Sequence, residues 1–429
     1  MSKTYIRDQI RQRGKASVLV MLSSETKSET YLAALGECFE YSELHQEAAT
    51  KTAVAYAGGR GHIYRQHDHP PALYLKNLGA VYGQVNKSGW EKLQGAVAAS
   101  DTVTATVPMQ AIHPLGSNTP LPTAPQIAWG IERIKATTLW QQGLSGKGVL
   151  VAHLDTGIDG EHPSLKPAVQ QFAEFDATGH IIDGAPIADS DNHGSHTAGI
   201  IAGRPYEGWQ IGVAPGCQLV SGAVIEGGDQ VARVLAGVDW MLNFPVRVLN
   251  LSLGFPGYFD QYQPLLKKLL DKGILPSFAI GNEGPNTSRS PANYPQALSV
   301  GAVDQNGAVD PSSSSEKFPR KVDPLVPDLV MPGVDIISAN ARQANFRLDS
   351  GTSMATPHLS GLAALLIEAC PTATVDQLQK AICQSCSLTP AMSKQRANLG
   401  MPDGPKALAA LQKLVAKAQP AKGATSAAG

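Results

Sequence analysis

The chain has 429 residues, 43% hydrophobic and 17% charged, with 35 Lys and Arg against 36 Asp and Glu. That is material enough for two or three globular domains, and a formal net charge of -1 implies neither nucleic acid nor an anionic membrane as partner. No apolar run reaches the roughly 18 residues of a membrane span, and five cysteines, sparse and odd in number, fit a reducing compartment better than a disulfide framework.

The start, Met1 to Lys15, is basic and polar. The apolar piece that follows, Ala16 to Leu22, is short for the core of a secretion signal and lacks a small-residue cleavage site, so it reads as a strand. The expectation is therefore a cytoplasmic rather than a secreted protein. Ser28 to Tyr41 has helical character, Leu78 to Val85 alternates like a half-buried strand, Lys87 to Ala98 is a short helix opened by Ser88, and Thr102 to Val107 alternates again. This order predicts a small α+β, ferredoxin-like (split βαβ) domain over 1–112. His113 to Pro125 is a Pro-rich, polar linker.

From Gln126 the texture changes. Apolar runs at Val149–Leu154, Cys217–Ile225, Val246–Leu253, Ile274–Ile280 and Ala297–Val303 alternate with helix-like segments. Near-continuous apolar strands of this kind predict an α/β domain over 126–415, a mostly parallel sheet with helices on both faces. The tail over 416–429 reads as disordered.

Four strand or helix ends in this region carry chemistry. Val149-Leu-Val-Ala-His-Leu-Asp155-Thr-Gly-Ile-Asp159 is a buried strand ending in an acid and a glycine turn. That is where open parallel sheets place ligands, and an aspartate there can hold a histidine in one tautomer. Asp191-Asn-His193-Gly-Ser-His196-Thr-Ala-Gly199 opens a helix of small residues on a histidine, the side chain suited to moving a proton near neutral pH. His196 points elsewhere on that helix and is assigned no chemistry; a His-x-x-His metal pair lacks the acidic partners it needs. Gly281-Asn282-Glu283-Gly284 ends the apolar run Ile274–Ile280 and exposes a side-chain amide, a neutral donor for an oxyanion. Finally Gly351-Thr-Ser353-Met-Ala-Thr-Pro-His358 puts a serine at the head of the buried helix Leu359–Ile367, in the positive potential of unpaired N–H groups.

These segments, in this order, resemble the subtilisin-like serine proteases over roughly Gln126 to Ala410. The resemblance implies a subtilisin-like fold in which Asp155 orients His193, His193 acts as general base and then acid, and Ser353 is the nucleophile of an acyl-enzyme reaction on a polypeptide substrate. It implies an oxyanion hole from Asn282 and the Ser353 backbone N–H. The strand holding Ser252, Leu253 and Gly254 would pair with an extended substrate, and Ala279, Ile280 and Gly281 would form the opposite wall of the primary pocket. The related sedolisins use a glutamate and an aspartate instead, against which the His193 segment speaks. A competing reading keeps the fold but makes the protein a catalytically silent peptide binder; the four chemical positions being present argues against it.

Two departures from the family pattern matter. Arg289 stands where the family often has a small pocket-floor residue; pointing inward, it would favour an acidic residue before the cut bond. The family's strong calcium site uses an aspartate where this chain has Ser164, and an Asn-bearing loop where it has Arg204-Pro-Tyr-Glu-Gly-Trp-Gln. That site is expected to be absent, with weaker calcium sites left open and no organic cofactor required. The domain over 1–112 resembles the family's propeptide, which assists folding and then inhibits with its last residues in the cleft. The expectation is a self-inhibited zymogen that cuts itself between Gln110 and Pro125. Cys383-x-x-Cys386 reads as small buried residues rather than a redox or metal pair.

Overall fold

The computed structural model describes residues 3–23, 28–40, 72–106, 110–112, 114–117, 119–225 and 230–418. The first unit opens with α1 (Lys3–Arg13), in the segment that reads only as basic and polar in the sequence. Four strands follow: β1 (Lys15–Met21), β2 (Ala72–Leu75), β3 (Ala80–Asn86) and β4 (Thr102–Ala105). They form one antiparallel sheet in the order β2-β3-β1-β4. Helix α2 (Glu29–Gly36) is capped by Ser28, whose hydroxyl accepts from the Tyr31 N–H. Helix α3 (Lys87–Ala96) is opened by Asn86, which accepts from the Gly89 N–H at 2.8 Å, and not by Ser88, which lies inside it. Asn and Ser are equivalent caps in propensity, so spacing alone could not choose between them. Tyr41 and Val107, which bound other sequence-based expectations, lie outside the described residues.

The small sheet uses both faces. Val18 and Val20 of β1 pack with Ile6, Leu35, Trp90 and Leu93 under the unit's own helices. Leu19 points the other way, as the two-residue period of a strand requires, and with Leu75, Leu78 and Tyr82 joins a core that includes Val231, Leu235, Leu265 and Leu266 of the larger unit. The turn before β3 adds polar anchors: the Leu78 N–H donates to Asp239 Oδ1 at 2.7 Å and the Asn77 amide to the Asp239 carbonyl at 2.9 Å. Strand β5 (Gln110–Ala111) then leaves the small sheet altogether.

The larger unit is built on seven parallel strands: β6 (Leu150–Asp155), β7 (Val169–Glu174), β8 (Gln218–Ala223), β9 (Val246–Leu251), β11 (Leu275–Ala279), β13 (Leu298–Val303) and β16 (Leu329–Pro332). Their order is β16-β13-β11-β9-β6-β8-β7. The five apolar runs of the sequence are all strands of this sheet. The two strands it does not announce are the two edges: β7 exposes Gln170 and Gln171, and β16 has four residues and ends in a proline. Strand β10 (Leu253–Pro256) continues from β9 and pairs with β12 (Arg289–Ser290) on one side and β5 on the other. Two short hairpins, β14 (Glu316–Lys317) with β15 (Leu325–Val326) and β17 (Ile336–Asn340) with β18 (Asn345–Asp349), lie outside the sheet.

One face of the sheet is covered by α4 (His193–Ala202) and α7 (Thr352–Ala369), packed with Val151, Val248, Leu275 and Val300. The other carries α5 (Val231–Met241) and α6 (Gln263–Asp271) over Ala152, Leu154, Leu249 and Phe278. Helix α8 (Val375–Ser385) and α9 (Gly404–Ala418) close the first face. Because α9 runs to Ala418, residues 416–418, which the sequence assigns to a disordered tail, are helical; 419–429 lie outside the described residues. Strand order reverses at β6, between β8 and β9, so the open end of β6 is a crevice. Phe278 is fully buried against that second layer. Replacing it, Phe278→Ala, should cost about 3–5 kcal/mol, read as a lower midpoint in urea denaturation followed by tryptophan fluorescence.

Candidate active site

Asp155 is the last residue of β6. Strand period places Val151, His153 and Asp155 on the face of α4, opposite Ala152 and Leu154. The next residue, Thr156, ties strand to helix: its hydroxyl accepts from the Gly194 N–H at 2.9 Å and donates to Asp189 Oδ1 at 2.7 Å. Asp189 Oδ2 accepts from the Ser195 N–H at 2.7 Å. Two open N–H groups of the α4 N-terminus are thus satisfied from outside, where its own cap residue Asn192 makes no side-chain capping bond. Gly194 has to be glycine, since a Cβ there would sit 2.1 Å from the Gly157 carbonyl oxygen. The result sets His193 beside the strand end, its Nδ1–H donating to Asp155 Oδ1 at 2.6 Å.

Burial works against both charges of this pair and the pair overcomes it. Burial pushes the Asp155 carboxyl up, but the charge and hydrogen bond of His193 outweigh it, so its pKa lies below the ordinary 3.8. Burial pulls His193 down, but the charge and hydrogen bond of Asp155 raise it above the ordinary 6.5. His193 Nε2 has no hydrogen-bond partner among the described residues. His196, one turn on, is held by the Ile336 carbonyl at 3.0 Å and pushed by burial down to about 4.

Ser353 is the second residue of α7. Pro357 stands four residues on and has no N–H to give the Ser353 carbonyl; the Ser252 hydroxyl donates to it instead, at 3.3 Å. This fastens the helix head to the strand that runs past it. Gly351, at φ +138°, sits against Asn282: a Cβ there would come within 2.8 Å of Asn282 Nδ2. Asn282 follows β11 through Gly281 (φ +119°), and its Oδ1 accepts from both the N–H and the hydroxyl of Thr352, each at 2.9 Å. That double bond decides which end of the amide is oxygen. Asp155, His193, Asn282 and Ser353 therefore come from four different places in the chain to the C-terminal end of the central strands.

The cleft is filled by the chain itself, which the sequence does not reveal in register. β5 pairs antiparallel with β10, Ala111 opposite Leu253 and Gln110 opposite Gly254. The next carbonyl, of Ile112, accepts a hydrogen bond from Ser353 Oγ at 3.1 Å, and the Ile112 side chain is buried. Past this point the linker is pinned rather than free. The Leu115 N–H donates to the Ser350 carbonyl at 2.9 Å, and the Ser117 and Thr119 hydroxyls donate to the two oxygens of Asp335 at 2.6 and 2.8 Å. Ser353 has no exposure.

Arg289 lies where the two glycine walls approach: its side chain is within reach of a Cβ on either Gly254 or Gly281. Its Nη1 donates to the Gly254 carbonyl at 3.1 Å and its Nε to Glu283 Oε1 at 3.0 Å. Ala279 and Ile280 are fully buried beside it. Arg289 is buried, not solvent-facing, and its guanidinium faces a carboxylate of the same chain. The loop after α4 holds another cation. Arg204 donates to the carbonyls of Ala202 and Cys217 at 2.8 and 2.7 Å and to Gln218 Oε1 at 2.8 Å, and its own N–H donates to the Ser164 carbonyl. A guanidinium already among these oxygens, with a serine for the acid, does not fit a calcium ion. Cys383 and Cys386 are unpaired and half-buried rather than fully buried as the sequence suggests, and burial raises both thiols, Cys383 to about 12.

The model of the subtilase family matches residues 146–407, and the chain belongs to that family. It is 35% identical over 263 residues to a subtilisin of Bacillus pumilus, covering 60% of this chain and 90% of that protein. It is also 35% identical over 263 residues to subtilisin E of Bacillus subtilis strain 168, covering 60% of this chain but 65% of that protein. A match to the subtilisin-like protease PopC of Myxococcus xanthus is 35% identical over 296 residues, 61% of this chain and 60% of PopC.

The pKa directions set a pH window. The His193 contribution to stability is fully present below about 6.5 and is lost as pH rises through its raised folded value. The Asp155 contribution is present above about 3.8 and is lost as pH falls through its lowered folded value. The thermal-midpoint gap between the chain and its His193→Ala variant should therefore be widest at about pH 5–6 and shrink toward pH 9.

Proposed function

We propose that the protein is a serine endopeptidase held in check by its own N-terminal unit. In this reading His193 Nε2 takes the Ser353 hydroxyl proton as Oγ attacks a peptide carbonyl. The developing oxyanion is met by the Ser353 N–H and the Asn282 amide, a contribution of about 3 kcal/mol for a side-chain donor of this kind. Collapse breaks the C–N bond, the proton passes from His193 to the leaving amine, and water reverses the sequence on the Ser353 ester. Asp155 holds the tautomer and offsets the imidazolium charge.

The observation that carries the reading is the bond between Ser353 Oγ and the Ile112 carbonyl, with Gln110 and Ala111 aligned on Leu253 and Gly254 in the manner of a bound substrate. It supports reading Ile112–His113 as the bond for self-cleavage, Ile112 as the residue in the primary pocket and 1–112 as the inhibitory unit. It also favours a resting state. The serine hydroxyl is given to the carbonyl oxygen and His193 Nε2 makes no hydrogen bond among the described residues, so the proton is not yet on its path to the base. Intact-mass measurement should find the chain cut between Ile112 and His113, and the Ser353→Ala protein full length. A fluorophosphonate probe should label Ser353 in the parent and not in His193→Ala. A parent that stays whole yet hydrolyses peptides would remove the inhibitory role while leaving the enzyme.

The calcium site is proposed to be dispensed with, Arg204 supplying the positive charge its loop needs. For the primary pocket, the charge of Arg289 is taken up by Glu283, so an aliphatic residue like Ile112 is the preferred occupant. Matched peptides with Leu or Glu before the cut bond should be cleaved with Leu favoured by at least about tenfold, and the Glu283→Gln variant should narrow that ratio by freeing the guanidinium.

A further inference from the structure

β6 carries a second histidine that the chemistry above does not use. His153 stands two residues before Asp155, on the same face of the strand, and is wholly buried with Asp155, Thr197 and Ser221. Its Nδ1 lies 3.0 Å from the Ser221 hydroxyl and its Nε2 2.9 Å from the Thr197 hydroxyl. Thr197 is one helical turn past His193 on α4, so its side chain comes back to the same strand end. Its Oγ1 is 3.3 Å from Asp155 Oδ2, and this is the only hydrogen bond to that oxygen among the described residues. Oδ1, by contrast, already receives the Thr156 N–H at 2.8 Å and His193 at 2.6 Å.

Counting hydrogens selects one arrangement. Apart from the His153 ring, Thr197 Oγ1 contacts only acceptors: Asp155 Oδ2 and the carbonyls of His193 and Gly194, both at 3.1 Å. With its single proton on the charged Oδ2, the strongest acceptor of the three, the bond with His153 is donated by an N–H at Nε2. Nδ1 is then an acceptor and takes the Ser221 proton. The opposite tautomer would leave the Ser221 proton without an acceptor and spend the Thr197 proton on His153, stripping Asp155 Oδ2 of its donor. Burial lowers the His153 pKa, in keeping with a neutral ring.

We propose that His153 is a positioning residue for the reaction, acting through Thr197 to fix the second oxygen of Asp155. The relay runs Ser221 O–H to His153 Nδ1, His153 Nε2–H to Thr197 Oγ1, and Thr197 O–H to Asp155 Oδ2. It holds the carboxylate plane so that Oδ1 faces His193, and draws charge from the anion. The inference rests on the triad reading of Asp155, His193 and Ser353. Its consequence for pH is signed. Removing the relay leaves more negative charge on Asp155, which favours the His193 imidazolium, so the acid limb of kcat/KM should move up. Asp189 and Asp349 are the other acids that raise His193 and are left in place.

The test uses the full chain as purified, with a peptide anilide ending in Gln-Ala-Ile and active sites counted by fluorophosphonate titration. His153→Leu should lower kcat about tenfold with KM within twofold, and move the acid limb upward. His153→Gln, whose amide can still donate to Thr197, should recover most of the loss. Thr197→Val should match His153→Leu, and the double variant should be no worse than either. Unchanged kcat and acid limb in His153→Leu, no rescue by Gln, or additive losses would overturn the relay. If His153→Leu does not fold, Thr197→Val and His153→Gln decide alone. Asp155→Asn is the separate control: if it keeps full activity, the triad reading itself fails, whatever His153 does.

Discussion

A carboxylate with no contact with solvent must be answered on every side, and Asp155 sets the terms for what surrounds it. Leaving such a charge unpaired in a protein interior is far too costly to tolerate. Its two oxygens therefore call for a cation-capable ring, a backbone N–H and a hydroxyl, and these arrive from His193, Thr156 and Thr197. Meeting those demands fixes the approach of α4 to β6, down to Gly194, whose missing Cβ lets the helix backbone reach the Gly157 carbonyl. The remaining helix, α7, is then registered to the same strand ends through Ser252 and Asn282.

Much of this was legible in the residues because each chemical group sits at an element end with a local signature. An acid and a glycine turn end an apolar strand; a histidine and a serine each open a helix of small residues; an asparagine follows a glycine. Elements as strong as the five central strands were equally plain. The edge strands β7 and β16 were not, since a half-exposed or four-residue strand lacks the continuous apolar run that marks the interior ones.

What stayed hidden depends on partners far apart in sequence. Nothing in Arg289 predicts that Glu283 will hold it, and nothing in Ile112 predicts that its carbonyl will meet a serine 241 positions later. The choice of Asn86 over Ser88 as helix cap turned on where β3 ends rather than on either side chain. His153 was closest to legible: a histidine two residues before a strand-end acid shares its face by strand period. Its partner Thr197, four residues past His193, shares a helix face by the same kind of count.

The strand that lies in the cleft belongs to the same polypeptide as the cleft. Its local concentration is therefore set by the chain, on the order of millimolar for short connections, and does not fall when the protein is diluted. In the proposed function, a peptide arriving from solution competes on unequal terms with Gln110–Ile112, which is further anchored by the core around Leu78 and the Asp239 bonds on one side and by Asp335 on the other. Severing the connection changes no contact by itself. It converts an occupant that cannot be diluted away into one that can.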